Sequence, residues 1–281
     1  WAWAQAYEQN NMPYYPKALS AIPFTPVRGP RLLVAQTADQ SVIQQVLVSG
    51  LKTLVDQNAL SSAHILFPES SELLELEKQG FMLRNSVQFH WQNIGYKDFE
   101  QFLVDLTMKR RKNIRRERAA VAKHQISYRH IPGAIATKED WAFFYRCYEN
   151  TYIEHRSSPY LTEECIQLLG SDMPENLHLI IATQAEKPIA SSLLVVDQLN
   201  AKAYGRYWGA VEHIPCLHFE LAYYQAIEYC IQEGIEVFEG GAQGEHKMAR
   251  GFLPTTLQSA HWIADAGFSN AVKRFLERER E

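Results

Sequence analysis

Between Phe238 and Lys247 the chain reads Phe-Glu-Gly-Gly-Ala-Gln-Gly-Glu-His-Lys. An apolar run ends there in three glycines and enters a short polar stretch that continues to Arg250. Glycine lets a backbone turn sharply and approach a ligand closely. A helix start beyond such a turn offers N–H groups and a positive dipole end. Gly241, Gln243, Gly244, Glu245, Lys247 and Arg250 therefore suit an anion or a polarised carbonyl, with Glu239 and His246 beside it as titratable groups. The spacing is neither GxxxxGK[ST] nor GxGxxG. The plainer alternative is a tight strand–helix turn with solvated charges.

A second cluster is Tyr204-Gly205-Arg206-Tyr207-Trp208-Gly209. Strand alternation predicts Tyr204, Arg206 and Trp208 on one face, with Gly205 and Tyr207 on the other. A guanidinium in an aromatic strand is costly without a counter-charge, so Glu239 or Glu220 is expected to pair with Arg206, as ligand-binding group or as structural ion pair. A third cluster, Leu217-His218-Phe219-Glu220, lies at a helix start. There a histidine pKa falls and a carboxylate is favoured. A neutral His218 could act as a base; simple capping accounts for the same residues.

Seven of the ten residues from Lys109 to Arg118 are basic. On a helix they cannot share one face. Lys109, Arg110, Arg111, Lys112, Arg115 and Arg116 fit a phosphate-rich partner such as tRNA, a nucleotide carrier or an anionic membrane surface, or else form a solvated face. No HExxH and no paired Cys/His spacing suggests a metal, and GxSxG is absent.

These residues need a frame. The chain has 281 residues, 28 Lys+Arg against 32 Asp+Glu, 46% hydrophobic and 21% charged residues. That is globular composition, with no apolar run long enough to span a bilayer. Cys147, Cys165, Cys216 and Cys230 form no CxxC pair and read as thiols of a cytoplasmic protein. Trp1 in place of Met suggests that part of the first unit is missing.

Patterning predicts an N-terminal helix end, strands at Tyr14–Ile22 and Leu32–Ala35, and a helix with apolar positions Val42, Val46, Leu47, Leu51, Leu54 and Val55. Strands at Ala63–Phe67 and Phe81–Trp91 flank a short helix. A long polar helix is expected over Lys97–His124, then a strand at Ile126–Ile131 and helices from Lys138 to Glu154 and from Thr162. Three successive strands follow at Leu177–Thr183, Pro188–Val196 and Lys202–Trp208. A helix at His218–Gln232, a strand at Ile235–Glu239, a short helix at Glu245–Arg250, a strand at Ser259–Ala264 and a helix at Ala271–Arg280 complete the order.

An internal echo organises this list. Phe67, Gly80-Phe81 and His90-Trp91 recur as Phe238, Gly251-Phe252 and His261-Trp262, at an offset of 171 throughout (238 − 67). Two copies of one α/β unit are expected, with Phe67 matching Phe238 and Trp91 matching Trp262. The second copy has Glu245, His246, Lys247 and Arg250 where the first has Leu74, Glu75, Leu76 and Gln79. Reactive groups are therefore expected in the second copy.

The stretches YGRYWG, LHFELAYYQAIEY and FEGGAQGEHKMARGF, with KRRKNIRRER and Tyr14–Val34, resemble the Fem-like N-acyltransferases, described as peptidoglycan biosynthesis or recognition proteins. The resemblance covers almost the whole chain. It implies an α/β (α+β) fold of two tandem GNAT-type units: 1–95 as a first, truncated unit, 96–124 as a basic connecting helix, and 125–281 as the unit with the active site. Glu239, Lys247 and Phe252 stand where Fem ligases carry a strand end, a lysine and a phenylalanine. It implies acyl or aminoacyl transfer to an amine acceptor such as a cell-wall precursor, from aminoacyl-tRNA or acyl-CoA as co-substrate, with no tightly bound cofactor, no metal and no integral membrane segment. An acetyl-CoA pyrophosphate loop is not recognisable in Ala210–Leu217.

Acyl transfer needs a base for the amine, donors for the oxyanion and an acid for the leaving group. Glu239, His246, or His218 through a water are the candidate bases. The N–H groups of Gly241–Gly244 with Lys247 are candidate oxyanion or phosphate donors, and Tyr207 is the candidate acid. Arg206, Trp208, Glu220, Gln243, Glu245 and Arg250 would contact substrate. A non-catalytic module binding a cell-wall, nucleotide or polyanionic ligand is the alternative.

Overall fold

The computed structural model describes residues 2–36, 39–241 and 244–280, with the backbone alone for Ala2, Glu245 and Arg280. In chain order the elements are α1 (Ala2–Gln9), β1 (Ala18–Ser20), α2 (Gln40–Gln57), β2 (Ser62–Leu66), α3 (Ser70–Lys78), β3 (Met82–Gln92), α4 (Phe99–Asp105), α5 (Met108–Ala122), β4 (Ile126–Pro132), α6 (Lys138–Glu154) and α7 (Glu163–Asp172). They continue as β5 (Leu177–Gln184), β6 (Lys187–Asp197), β7 (Lys202–Ala210), α8 (Leu217–Phe219), α9 (Gln225–Gln232), β8 (Val237–Glu239), β9 (Leu253–Ile263) and α10 (Ala266–Arg280). The fold is mixed α/β, as the sequence implies.

The residues group into two compact units, Trp1–Val87 with Thr256–Glu281, and Gln88–Thr255. The grouping is not contiguous in sequence, unlike the expected division at 95 and 125.

In the first unit β1 runs parallel to β2 and β2 antiparallel to β9. Alternation divides β9 between two clusters, while the apolar face of β2 serves one. Ala63, Ile65 and Ala260 pack with Val48, Val55, Leu76 and Phe81, and Ile263 packs with Tyr7, Tyr14, Val272 and Leu276. The buried stripe of α2 is Val48, Leu51 and Val55; Val42, Val46, Leu47 and Leu54 are exposed. Several helical stripes fit so apolar a helix, and packing selects one. Leu32–Ala35 is not a strand, and Tyr14–Ile22 shortens to β1; prolines at Pro16, Pro23, Pro26 and Pro30 remove ladder donors there.

In the second unit the strand order is β3-β8-β7-β6-β5-β4, with β8 parallel to β7 and the other pairs antiparallel. Ile180, Ala182, Leu194, Ala203 and Phe238 face α4, α5 and the α8–α9 segment. Leu179, Ile181 and Leu193 face α6 and α7. Helix α6 has the expected bounds because Thr137 and Asp140 form a reciprocal capping box. The expected Lys97–His124 helix is two, since Leu106 is extended and Thr107 caps α5 through Arg110 N.

The echo is real but not uniform. Strands β3 and β9 begin and end 171 apart (253 − 82, 263 − 92). In β3–β8, Trp91 pairs with Phe238; in β2–β9, Trp262 pairs with Ala63. Trp91 thus matches Trp262, but Ala63, 175 residues before Phe238, takes the place expected of Phe67. Phe67 lies just past β2. The physical reason is the connection: a nine-residue α3 in the first copy is replaced by a six-residue 3-10 segment, Glu245–Arg250, in the second.

Candidate active site

Strand β7 carries an irregularity that its sequence hides. Leu193 pairs with Tyr207 and Leu194 with Gly205, so Arg206 is the extra residue of a β-bulge. A bulge shifts alternation by one beyond it. Tyr207 accordingly packs against Tyr148, centroids 4.8 Å apart, on the α6 face. Trp208 stacks on His218 at 4.4 Å on the opposite face. The expected set of Tyr204, Arg206 and Trp208 on one face is thus incorrect: Trp208 shares the face of Gly205, whose missing Cβ makes room for the Phe238 ring. Arg206 lies beside Tyr207, donating to its hydroxyl at 3.3 Å.

The parallel pairing of β7 with β8 covers Lys202–Tyr204 and Val237–Glu239. Strand β7 runs on to Ala210, whereas β8 stops at Glu239. A cleft of about 110 Å³ opens there, lined by Gly205, Arg206, Trp208, His218, Tyr223 and Gly240 among others. Gly240 is required by close approach: a Cβ would sit 2.7 Å from the Phe252 ring and 3.2 Å from the Phe89 carbonyl.

The helical wall of the cleft runs from α8 through a π-helical stretch, Glu220–Tyr224, into α9. The wider π turn is a frequent companion of functional sites. His218 projects from α8, and its pKa is pushed down to about 4 by burial, helped by the neighbouring His246 and the cationic Arg250 and Lys247. It is therefore a neutral imidazole at neutral pH, able to accept a proton. The fall expected from the helix start has burial as its main cause. Burial raises the Tyr207 phenol, which stays protonated.

The loop after β8 brings its cations inward. Lys247 is buried, with Nζ 3.4 Å from the Gly241 carbonyl, and burial lowers its pKa to about 8. Arg250 is buried between Phe219, 3.5 Å from its guanidinium, and Glu117, which accepts from Nη2 at 2.8 and 2.9 Å. Its Nη1 also donates to the His246 carbonyl at 2.7 Å. His246 is exposed, with Nε2 3.2 Å from the Tyr223 hydroxyl, and its pKa is lowered by partial burial and by Arg250 and Lys247. Gly244 has φ of 101°. Gln243 lies outside the described residues, as does the Glu245 side chain.

The carboxylates sort differently from the expectation. Glu220 does not serve Arg206; it accepts from Arg118 at 3.0 and 3.2 Å and from Gln225 at 2.9 Å. Burial raises its pKa against the pull of Arg118. Glu239 is buried on β8, opposite His90, with Oε2 3.7 Å from His90 Nε2. Phe238 faces α8–α9, so Glu239 points to the other face of the sheet, away from His218.

The sequence reading missed His90 as a site neighbour, and it missed Glu117, Arg118 and Tyr223. Glu117 and Arg118 sit inside the basic run, but their partners lie 102 to 133 residues away in sequence. The rest of the run divides. Arg115 pairs with Glu100 at 2.5 Å, and Arg111 donates to the Leu103 and Val104 carbonyls. Lys109, Arg110, Lys112 and Arg116 have no carboxylate partner among the described residues. No cluster of three potential metal ligands occurs among the described residues, and no described helix is long and apolar enough to cross a membrane.

A family model for FemAB-like proteins, described as peptidoglycan biosynthesis/recognition, matches residues 1–281. The chain belongs to the FemAB-like family. No curated protein matches it. Among solved structures it is similar to FemX, at 9% identity and a TM-score of 0.57 over 90% of this chain and 85% of that one. It is also similar to L-PGS from Bacillus licheniformis, at 9% identity and a TM-score of 0.58 over 83% and 78%. At such identities the FemAB-like chain shares their fold.

Proposed function

We propose that the chain is an N-acyltransferase that moves an acyl or aminoacyl group from an activated donor to an amine. The observation that carries the reading is the cleft where β7 leaves β8, bounded by the bulge at Arg206 and by a neutral His218. Membership of the FemAB-like family agrees with it.

The transfer forms the amide C–N bond and breaks the bond from the acyl carbon to the donor's leaving atom. The amine proton leaves during attack, and the leaving atom gains one. His218, neutral and at the cleft wall, takes the amine proton, directly or through a water. The Tyr207 phenol, kept protonated, supplies the leaving group's proton: its ring packs on the α6 face, but the residue also lines the cleft where β7 leaves β8. Arg206 and the Gly241 N–H are the donors for the oxyanion, since the Gly240 N–H is already given to the Phe89 carbonyl at 2.9 Å. Lys247, tied to the Gly241 carbonyl, holds that loop in shape and adds positive potential. Glu239 with His90 forms a polar pair behind the cleft, on the opposite face from His218.

The donor is the finer part of the proposal. An aminoacyl-tRNA suits Lys109, Arg110, Lys112 and Arg116 of α5, which have no carboxylate partner among the described residues, while an acyl-CoA would not need them. The test is mass-spectrometric detection of an acylated amine after incubating the protein with an amine mixture and either charged tRNA or acyl-CoA. A product from charged tRNA, lost when Lys109, Arg110, Lys112 and Arg116 are reversed to glutamate, is expected. Ligand binding without product from either donor would overturn the reading in favour of a binding module.

A further inference from the structure

The first unit holds a second cavity, of about 280 Å³, which the reaction above does not use. Its floor is a pair of histidines on β2 and β9, backed by two serines. His64 and His261 stand directly opposite in the ladder, with their Nδ1 atoms 2.8 Å apart. Each ring meets a serine two residues earlier: Ser62 Oγ lies 2.9 Å from His64 Nε2, and Ser259 Oγ lies 3.0 Å from His261 Nε2. One Nδ1 must donate and the other accept, so the pair is held as two neutral rings in complementary tautomers.

The walls are aromatic and the charges are positive. Trp3 sets its edge against His261 at 5.1 Å, and Tyr14 and Phe275 complete the apolar sides. Lys17 donates to the Tyr14 hydroxyl at 3.2 Å and has no carboxylate partner among the described residues. Arg84 also lines the cavity, with its guanidinium engaged on one side by Glu279. Two cations against one carboxylate leave the cavity net positive. The charged groups acting on His261 are Arg84 and Lys17, and both disfavour its protonation. The cavity opens to solvent beside the exposed Leu19 and Phe275. Positive potential over a flat aromatic wall is the lining expected of a ligand site.

We infer that this cavity binds a small organic anion with a flat apolar body, its acidic group on Lys17 and Arg84 and its ring against Trp3 and Phe275. The His64–His261 pair, whose four ring nitrogens are engaged by each other and by Ser62 and Ser259, forms a neutral floor that sets no negative charge against the anion. The inference does not rest on the acyl-transfer reading.

The experiment is ligand-observed NMR and calorimetric titration of the full chain with phenyl phosphate, benzoate and benzyl alcohol. Binding of phenyl phosphate, benzoate or both is expected, and which binds identifies the acidic group. Benzyl alcohol should bind at least tenfold more weakly. Lys17→Ala should weaken the anion by roughly tenfold or more, the loss of one charge-assisted hydrogen bond. Lys17 is only half-buried, so that variant should fold; Trp3→Ala tests the ring wall separately and should weaken binding too. No binding of either anion, equal binding of benzyl alcohol, or unchanged affinity in Lys17→Ala would each overturn the inference.

Discussion

The same scaffold position carries opposite chemistry in the two copies. His90 on β3 and His261 on β9 lie 171 residues apart (261 − 90), at matched places in antiparallel ladders. Opposite His90 stands Glu239; opposite His261 stands His64. A histidine facing a carboxylate has an acidic group across the ladder, here at 3.7 Å. A histidine facing a histidine, both buried, is held neutral: His64 is pushed down to about 4 and His261 to about 3, by burial first. Beyond Glu239 the strand ends in glycines at a cleft, whereas β2 ends at Leu66 near the α3 helix. One strand-pair design thus borders the proposed reaction site in one copy and a pocket with a neutral floor in the other.

The largest effect should separate the two regions by activity. His218→Ala is expected to lower kcat/KM of acyl transfer by about 10²–10⁴, the usual range for a lost general base. His261→Gln, in the other copy, should leave kcat/KM unchanged. Steady-state kinetics on both variants, with thermal melting to confirm folding, checks this. Equal losses would break the contrast between a reacting copy and a non-reacting one.

The second effect is acid stability. A histidine whose pKa is depressed on folding contributes stability that is full above its unfolded value, about 6.5, and is lost as pH falls below it. His64 therefore costs stability from about pH 6.5 down towards 4. One such ring is worth roughly 2 kcal/mol between pH 7 and 5. His178 and His218 in the second unit are also pushed down to about 4 and steepen the wild-type curve. The double variant His64→Gln with His261→Gln isolates the first unit's share. Its denaturant midpoint should fall less between pH 7 and 5 than the wild type's. An unchanged pH slope would mean that the facing rings do not titrate as a neutral pair.

Much of this frame was legible in the sequence, for local reasons. The bounds of α6 follow from Thr137 and Asp140, and the three strands after Leu177 from apolar runs broken by Glu186–Lys187 and Leu199–Asn200. The 171 offset pairs β3 with β9, which have the same length, although apolar patterning placed β9 only at Ser259–Ala264 and missed its first half from Leu253. What stayed hidden was non-local or irregular. A bulge leaves no signature in YGRYWG, so alternation misplaced Trp208. The partner of Glu220 was sought on neighbouring strands, but Arg118 arrives from α5. His64 and His261 drew no notice as a pair because 197 residues separate them. Their meeting depends on strand register, which periodicity alone does not specify.

The smallest effect sharpens the comparison at one more matched position. Arg84 on β3 corresponds to Thr255 on β9 (255 − 84 = 171). Only the first copy therefore places a guanidinium there, forked onto Glu279 with Nε–Oε2 at 2.9 Å and Nη2–Oε1 at 2.6 Å. The glutamate pulls the Arg84 pKa up, and the arginine pulls the Glu279 pKa down. Both side chains are more than a third exposed, 42% and 36%, so solvent screens most of that attraction. Arg84→Thr, which gives the first copy the second copy's residue, should cost about 0.5 kcal/mol. A double-mutant cycle with Glu279→Gln should assign about half a kcal/mol to the pair, shrinking in 1 M salt. A coupling above about 2 kcal/mol that survives high salt would mean that the pair is shielded from water and acts as a fixed wall of the cavity. In that case Arg84 would be spent on Glu279, and Lys17 alone would be left to meet an anion.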